Sequence, residues 1–420
     1  MECRYRAGPT GAGNHIPSPL SPMPLPAHTQ RPDGDLNALG LMSGTSLDGV
    51  DAALIRTDGT SVIAHGPSLT LPYTADLRTR LRSLLEYAPT LAPDNPELKA
   101  VEHALTLVHV QAVQQLRQLA PDMPVDVVGF HGQTILHRLG FTWQIGDAAC
   151  LSAQTNLPVV HDFRSADVAA GGQGAPLVPL YHAALLHGRM TPVAVLNLGG
   201  VANLSLITSD GQIVACDTGP GNALLDDWAY QHTGTPCDTN GQLALQGKPD
   251  ARVLEKLLAH PFFSQPAPKS LDRLSFHNAL ASLAGLSAAD GAATLLAFTV
   301  QTIARTPLPE QPHEWFVCGG GRHNPALMAA LARALPGPVY PAEQLGWNGD
   351  ALEAECFGFL AVRSLAGLPL SLPTTTGVPS PQTGGRLTCM DITPWGRRLW
   401  LSSPHTPLTH PTLDRQERSS

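Results

Sequence analysis

Apolar residues along this chain alternate between two periods. Short strand-like runs recur at 36–42, 50–55, 125–130, 157–160, 193–198, 203–207, 213–216 and 315–318. Helix-like stretches, with apolar positions three and four apart, fall at 75–88, 97–119, 176–187, 222–232, 251–259, 277–305, 324–335 and 350–366. Neighbouring strand pairs followed by strands alternating with helices predict an α/β fold. Two of the pairs have the same make. "GLMSGTSLDGVDAALI" (40–55) and "VAVLNLGGVANLSLI" (193–207) each join two apolar runs through a glycine turn. One lies in each half of the chain, which predicts a duplicated core, and no solenoid-type repeat is present.

The flanks carry a different signal. Residues 1–35 are rich in Pro, Gly and Ser without a period, which predicts a disordered extension. The body divides into lobes at 36–190 and 191–386, and the tail 387–420 is weak in core signal. A length of 420 residues suffices for two cores, and 43% hydrophobic with 14% charged residues is ordinary for a globular protein. The net charge of −8, with no Lys/Arg cluster, argues mildly against nucleic acid as a partner, since that needs a basic face. No apolar run reaches bilayer length, and the N-terminus has no apolar core of a secretory signal. Cysteines at 3, 150, 216, 237, 318, 356 and 389 form no CxxC pair, so free thiols in a reducing, cytoplasmic setting are expected.

The glycine turns hold the candidate chemistry. In the first hairpin, Gly44, Thr45, Ser46, Leu47, Asp48, Gly49, Val50 and Asp51 offer backbone N–H groups and hydroxyls but no lysine, unlike a P-loop. Carboxylates repel a bare phosphate, and a Mg²⁺ between them reverses that sign. Asp48 is the candidate for meeting such an ion. A plain Gly/Asp turn with local capping is the competing reading. In the second hairpin Gly199 and Gly200 form the turn, and "DTGPGN" follows from Asp217. Late in the chain, "VCGGGRHNPAL" reads as a strand, a turn of Gly319, Gly320 and Gly321, and a helix begun by Asn324 and Pro325. Three glycines let a flat ligand such as adenine lie against the backbone.

The order of these loops resembles the phosphate and adenosine loops of the actin, hexokinase and Hsp70 ATPase superfamily. More narrowly, "MSGTSLDGVDAAL", "HGQTILH", "DFRSADVAAGGQGAPLVP", "DTGPGN" and "GGGRHNP" together resemble the anhydro-N-acetylmuramic acid kinase family over about residues 38–385. The resemblance implies a two-lobed, ribonuclease H-like fold with a cleft between the lobes. It also implies ATP and Mg²⁺ as cofactors, a small sugar as substrate, and a homodimer. Such kinases open the anhydro ring of anhydroMurNAc with water and phosphorylate O6, giving N-acetylmuramic acid 6-phosphate for cell-wall recycling. Carried onto this chain, Asp217 is the general base and Gly44 to Asp51 the ATP segment. Glu353, in "DALEAECFGFLA", is placed near the sugar; an exposed helix carboxylate is the alternative.

Other candidates follow from side-chain chemistry. His131 and Gln133 suit sugar hydroxyls or the lactyl carboxylate, although a satisfied core histidine is an equal reading. Arg164 can clamp the lactyl carboxylate with two N–H groups, or pair internally with Asp162 or Asp167. The chain departs from the family pattern at Leu271-Asp272-Arg273-Leu274, where a TGR-like turn is usual, and after "LPTTTGVPSPQTGG". Two rival functions stay open: a kinase for a free amino sugar (MurNAc or GlcNAc), and a non-catalytic nucleotide- or sugar-binding protein.

Overall fold

The computed structural model describes residues 34–44, 47–271 and 273–389, together with the backbone of Met23–Pro24. Its strands are β1 (Met23–Pro24), β2 (Leu36–Ser43), β3 (Gly49–Thr57), β4 (Val62–Pro72), β5 (Val127–Arg138), β6 (Phe141–Ile145), β7 (Val159–His161), β8 (Val193–Leu198), β9 (Val201–Ile207), β10 (Ile213–Pro220), β11 (Glu314–Cys318), β12 (Val339–Pro341) and β13 (Arg386–Thr388). The helices are α1 (Ala75–Tyr87), α2 (Pro96–Leu119), α3 (Ala148–Thr155), α4 (Ser165–Ala169), α5 (Pro179–Leu185), α6 (Ala223–Thr233), α7 (Gln242–Gln246), α8 (Ala251–Leu258), α9 (Ala288–Ala304), α10 (Pro325–Ala334), α11 (Leu352–Leu365) and α12 (Pro373–Thr376).

Two sheets carry the fold, and both are wound the same way. The first runs β1-β13-β7-β5-β2-β3-β4 and the second β10-β9-β8-β11-β12. In each, three antiparallel strands lead, β2-β3-β4 or β8-β9-β10. A later strand then lies parallel to the first of the three, and another parallel to that. This shared order is the ribonuclease H-like topology, so the duplicated core read from the two hairpins is present, and the chain folds as two α/β lobes. The extension expected to be disordered and the tail lie outside the described residues, apart from β1, Gly34 and Asp35 at one end and 387–389 at the other.

Helix boundaries follow local signals. Asn95, Asp250 and Asn324 each cap the helix that follows, accepting from its first backbone N–H groups. The helix expected over 277–305 is instead 3-10 turns over Arg273–Leu283, then α9. Gly285 takes φ 92° and Ser287 caps the new helix by accepting from Asp290 N, so the periodic pattern is broken by a turn. Strand β4 escaped prediction because it lies at the sheet edge, with Gly66 and Pro67 inside and no fully buried position.

The lobes are stitched by exchanged helices. α11, from the second half, packs on β2, β3 and β5 of the first sheet. α5, from the first half, packs on β9 and β10 of the second. The two meet where Tyr181 Oη donates to Glu355 Oε2 at 2.8 Å and the Tyr181 and Phe359 rings lie 5.4 Å apart. α11 lies so close to the sheet that a Cβ on Gly40 would fall 1.7 Å from Ala354 O. Gly40→Ala is therefore expected to cost about 3 kcal/mol or more, since rigid backbone stands on both sides. A urea midpoint matching that of the unsubstituted protein would refute this packing.

Candidate functional site

The first hairpin is tied down behind its tip. The Ser43 hydroxyl meets Tyr73 Oη at 2.6 Å and donates to Gln133 Oε1. Gln133 Nε2 donates to Gly44 O at 3.3 Å and Thr134 O at 3.1 Å. With 0% exposure, Gln133 braces the hairpin against β5, and the sugar contact expected of it is closed off. Thr45 and Ser46 lie outside the described residues. Leu47 turns the chain at φ 58°, and both it and Val50 are buried in the first-lobe core. The two acidic residues differ. Asp48 is exposed and accepts from Arg78 Nη2 of α1 at 2.7 Å. Asp51 is half-buried and accepts from Thr70 Oγ1 at 2.6 Å. Burial raises the Asp51 carboxyl above its ordinary range, Thr70 opposes this, and the nearby Asp350 and Asp48 charges add to the rise.

On the second sheet, a polar row crosses three strands. Asn197 of β8 pairs in register with Asn203 of β9, and Asn203 with Asp217 of β10. Residues directly opposite share a sheet face, so the row spans about 10 Å from Asn197 to Asp217. All three are partly exposed, whereas the apolar neighbours Leu196, Leu198, Leu204 and Cys216 are buried. At one end, Asn197 Nδ2 donates to Glu353 Oε1 at 3.4 Å. Glu353 stands in the first turn of α11, so this bond crosses from the second sheet to a helix of the first lobe. Burial raises its carboxyl too, with Arg164 opposing and Asp51 reinforcing the shift. Glu353 is solvent-exposed, on the side of α11 that meets Asn197. Glu355 faces the other way, 3% exposed, between Tyr181 and His65.

Asp217 closes the other end. Its N–H donates to Lys269 O at 2.8 Å and its Oδ2 accepts from Leu271 N–H at 2.6 Å. Burial pushes the carboxyl up to about 7, against the opposing pull of that N–H and of the Lys269 charge. A carboxylate titrating near neutrality is matched to general-base work.

The glycine turns of this lobe converge beside the row. Gly199 O accepts from Asn222 N–H at 2.8 Å and Gly200 O from Gly221 N–H at 3.0 Å, folding the start of α6 under the β8–β9 turn. Asn222 Nδ2 also donates to Leu198 O at 3.1 Å. Gly319 takes φ 75°, and a Cβ there would lie 2.3 Å from Asn197 Oδ1. Gly320 and Gly321 begin the short turn Gly320–His323, against Asn222. Arg322 then bridges outward, donating to Glu343 at 2.7 Å and bidentately to Asp350 at 2.7 and 2.8 Å. The third glycine turn is thereby clamped to the loop that begins α11.

Arg164 lies on the first-lobe side. Its Nε donates to His131 Nε2 at 3.0 Å and its Nη1 to Gly174 O at 2.7 Å. The internal pairs considered for it do not form: Asp162 pairs with Arg386, and buried Asp167 accepts from Gly174 N–H, Ser371 and Thr376. Among the described residues, no carboxylate lies within ion-pair distance of this half-buried guanidinium. His131 uses Nδ1 on Gly132 O at 2.8 Å and Nε2 on Arg164, and burial keeps it neutral. Both nitrogens are engaged, so His131 orients Arg164 and has none left for the sugar contact expected of it.

The structure thus links Asp217 to Glu353 through Asn203 and Asn197, sets the charges of Arg164 and Asp51 within reach of Glu353, places Gly319 against Asn197, and leaves Gln133 and His131 with their polar atoms already bonded. Sequence reading missed Asn197 and Asn203. Their signal was asparagine inside apolar strands, where it is depleted. Among the described residues no group of three or more His, Cys, Asp or Glu is arranged to hold a metal ion. No helix among them is long and apolar enough to cross a membrane.

Comparison with known proteins completes the picture. The family model for anhydro-N-acetylmuramic acid kinase matches residues 36–389. The chain belongs to this kinase family. An anhydro-N-acetylmuramic acid kinase from Gluconobacter oxydans (strain 621H) is 60% identical over 83% of this chain and 99% of its own. One from Acidiphilium cryptum (strain JF-5) is 59% identical over 84% and 98%. Among solved structures, a ROK family glucokinase from Streptomyces griseus aligns with a TM-score of 0.35 and 14% identity, over 77% of this chain and 98% of that one. At that score the fold rests on the strand orders themselves.

Proposed function

We propose that this enzyme uses ATP and water to open 1,6-anhydro-N-acetylmuramic acid and phosphorylate its O6, yielding N-acetylmuramic acid 6-phosphate. The observation that carries the reading is Asp217, whose carboxylate accepts from Leu271 N–H and whose own N–H donates to Lys269 O, at one end of a polar row and poised near neutrality. A sugar ring fits the roughly 10 Å between Asp217 and Asn197. In this reading Asp217 takes a proton from the water attacking C1, the C1–O6 bond breaks, and O6 takes the terminal phosphoryl group of ATP, releasing ADP. Asn203 and Asn197 offer amide donors and acceptors to the sugar between the two carboxylates. Glu353, fixed by Asn197, orients the ring at the far end. Arg164 binds the lactyl carboxylate, which would place an anion within hydrogen-bond reach of its guanidinium.

In this reading ATP lies along the glycine turns of 199–200 and 319–321, where the missing side chains let a nucleotide approach the backbone closely. The crowding of Asp51 by Asp350 and Asp48 is a repulsion that a divalent cation would relieve, so the residues fit Mg²⁺. Asp51 is the better candidate to meet it, since Asp48 is occupied by Arg78. The ion would arrive on the nucleotide, where it neutralises phosphate charge. Lobe closure over the cleft would exclude all water but the reacting one.

The test is turnover with ATP, Mg²⁺ and, separately, anhydroMurNAc, MurNAc or GlcNAc, measuring ADP and sugar phosphate. Product from the anhydro sugar alone is expected; product from a free sugar alone overturns the reading. A second consequence concerns pH. The base acts when ionised, so kcat/KM should fall about tenfold per unit as pH drops below the Asp217 value of about 7. A profile flat down to pH 5 would remove Asp217 as the base.

A further inference from the structure

Lys269 is an unusual place for a charge. It is 5% exposed, in the "PKS" run beside Asp217, and its ammonium donates to Phe262 O at 3.0 Å and Phe263 O at 3.5 Å. It also lies 4.5 Å from the Phe262 ring centroid. Phe262 and Phe263 belong to the aromatic core around α9, so the lysine ties its segment to a rigid base. Among the described residues, no carboxylate comes within ion-pair distance of it. Burying an ammonium on neutral carbonyls is costly, and a purely structural tie could be made without charge.

The same segment holds Asp217 twice, through Lys269 O and Leu271 N–H. We propose that Lys269 is a positioning residue for the base: its buried ammonium anchors residues 262–271 so that they grip Asp217, and its charge favours the ionised carboxylate. This rests on the assignment of Asp217 as base. Few other charges compete. On its own strand Asp217 has only the buried Cys216 thiol beside it. β9 sets Asn203 opposite, and α9 sets Thr302 against Gly219. α5 carries His182, bonded to Ser205 and held neutral by burial, and α12 holds only Pro and Thr. Lys269 is therefore the cation, among the described residues, whose field reaches the carboxyl, and both groups register the attraction.

The experiment is a ¹³C-carboxylate NMR titration of the full-length protein, with Asp217→Asn identifying the signal. In Lys269→Met the Asp217 midpoint should rise by about one pH unit or more, whereas Lys269→Arg should leave it near the original value. The acid limb of kcat/KM for anhydroMurNAc should move with it. A folded Lys269→Met protein with an unmoved Asp217 midpoint overturns the proposal. Should that variant fail to fold, Asp217→Asn decides, because the coupling is mutual: the ¹⁵N-lysine signal of Lys269 must titrate at lower pH, and an unmoved signal overturns the proposal. Absence of any turnover in the unsubstituted enzyme would overturn the proposed activity while leaving both titrations readable.

Discussion

Asp217→Asn is expected to lower kcat about 10³-fold while leaving ATP affinity nearly unchanged. General-base removal costs roughly 10²–10⁴ in rate. The substitution keeps the shape and the acceptor for Leu271 N–H, so the loss reports the missing base and not a collapsed loop. A stability effect of opposite sign should accompany it. In the folded protein the carboxyl sits at about 7, against 3.8 for an ordinary aspartate, so the fold binds that proton more tightly than the unfolded chain does. Stability contributed by this group therefore falls as pH rises from about 4 to about 7, and the full cost is present above 7. Asparagine removes that cost. At pH 8 the variant should unfold later than the original, by up to ~4 kcal/mol, and the advantage should vanish near pH 4. Thermal unfolding at the two pH values checks this; a variant less stable at pH 8 would contradict a desolvated carboxylate.

Arg164→Ala should raise KM for anhydroMurNAc about 10²-fold with a smaller change in kcat. The guanidinium is held by His131 and Gly174 O and stacks 6.0 Å from the Phe357 ring centroid, so it waits in place without a carboxylate partner among the described residues. Burial lowers its pKa, with the Glu353 charge opposing, and an incoming anion would add to that compensation. A charged hydrogen-bond pair is worth about 1.5–3 kcal/mol, which sets the size of the loss. The discriminating substrate is the anhydro sugar without a lactyl group. Against that sugar Arg164→Ala should change little, whereas an equal loss on both sugars would make Arg164 a structural residue. Lys should restore only part, since it cannot present the planar fork.

Much of this was legible in the sequence. The paired hairpins announced a repeated lobe because a glycine turn between two apolar runs is a local signal. Asp217 stood out only through the family resemblance, and the glycine turns through their order along the chain, since an Asp or Gly in a single turn is usually structural. What stayed hidden depended on contacts across the chain. Gln133 and His131 look like ligands in a linear motif, and only the packing of β5 against β2 and of His131 against Arg164 shows their polar atoms already used. Asp48 and Asp51 are equivalent in sequence, and Arg78, thirty residues away, separates them. The row from Asn197 to Asp217 requires strand register, which no local pattern encodes. Lys269 was passed over for a like reason, since its burial beside Asp217 comes from the aromatic core.

One measurement addresses the central claim, that Asp217 directs water at the sugar and not at the phosphate. The enzyme is given ATP, Mg²⁺ and anhydroMurNAc in ¹⁸O-water, quenched early, and the sugar phosphate is analysed by mass spectrometry. The expected product carries one ¹⁸O on C1, an unlabelled phosphate group, and ADP in equal amount. Label in the phosphate, or ADP formed without any sugar phosphate, would contradict it.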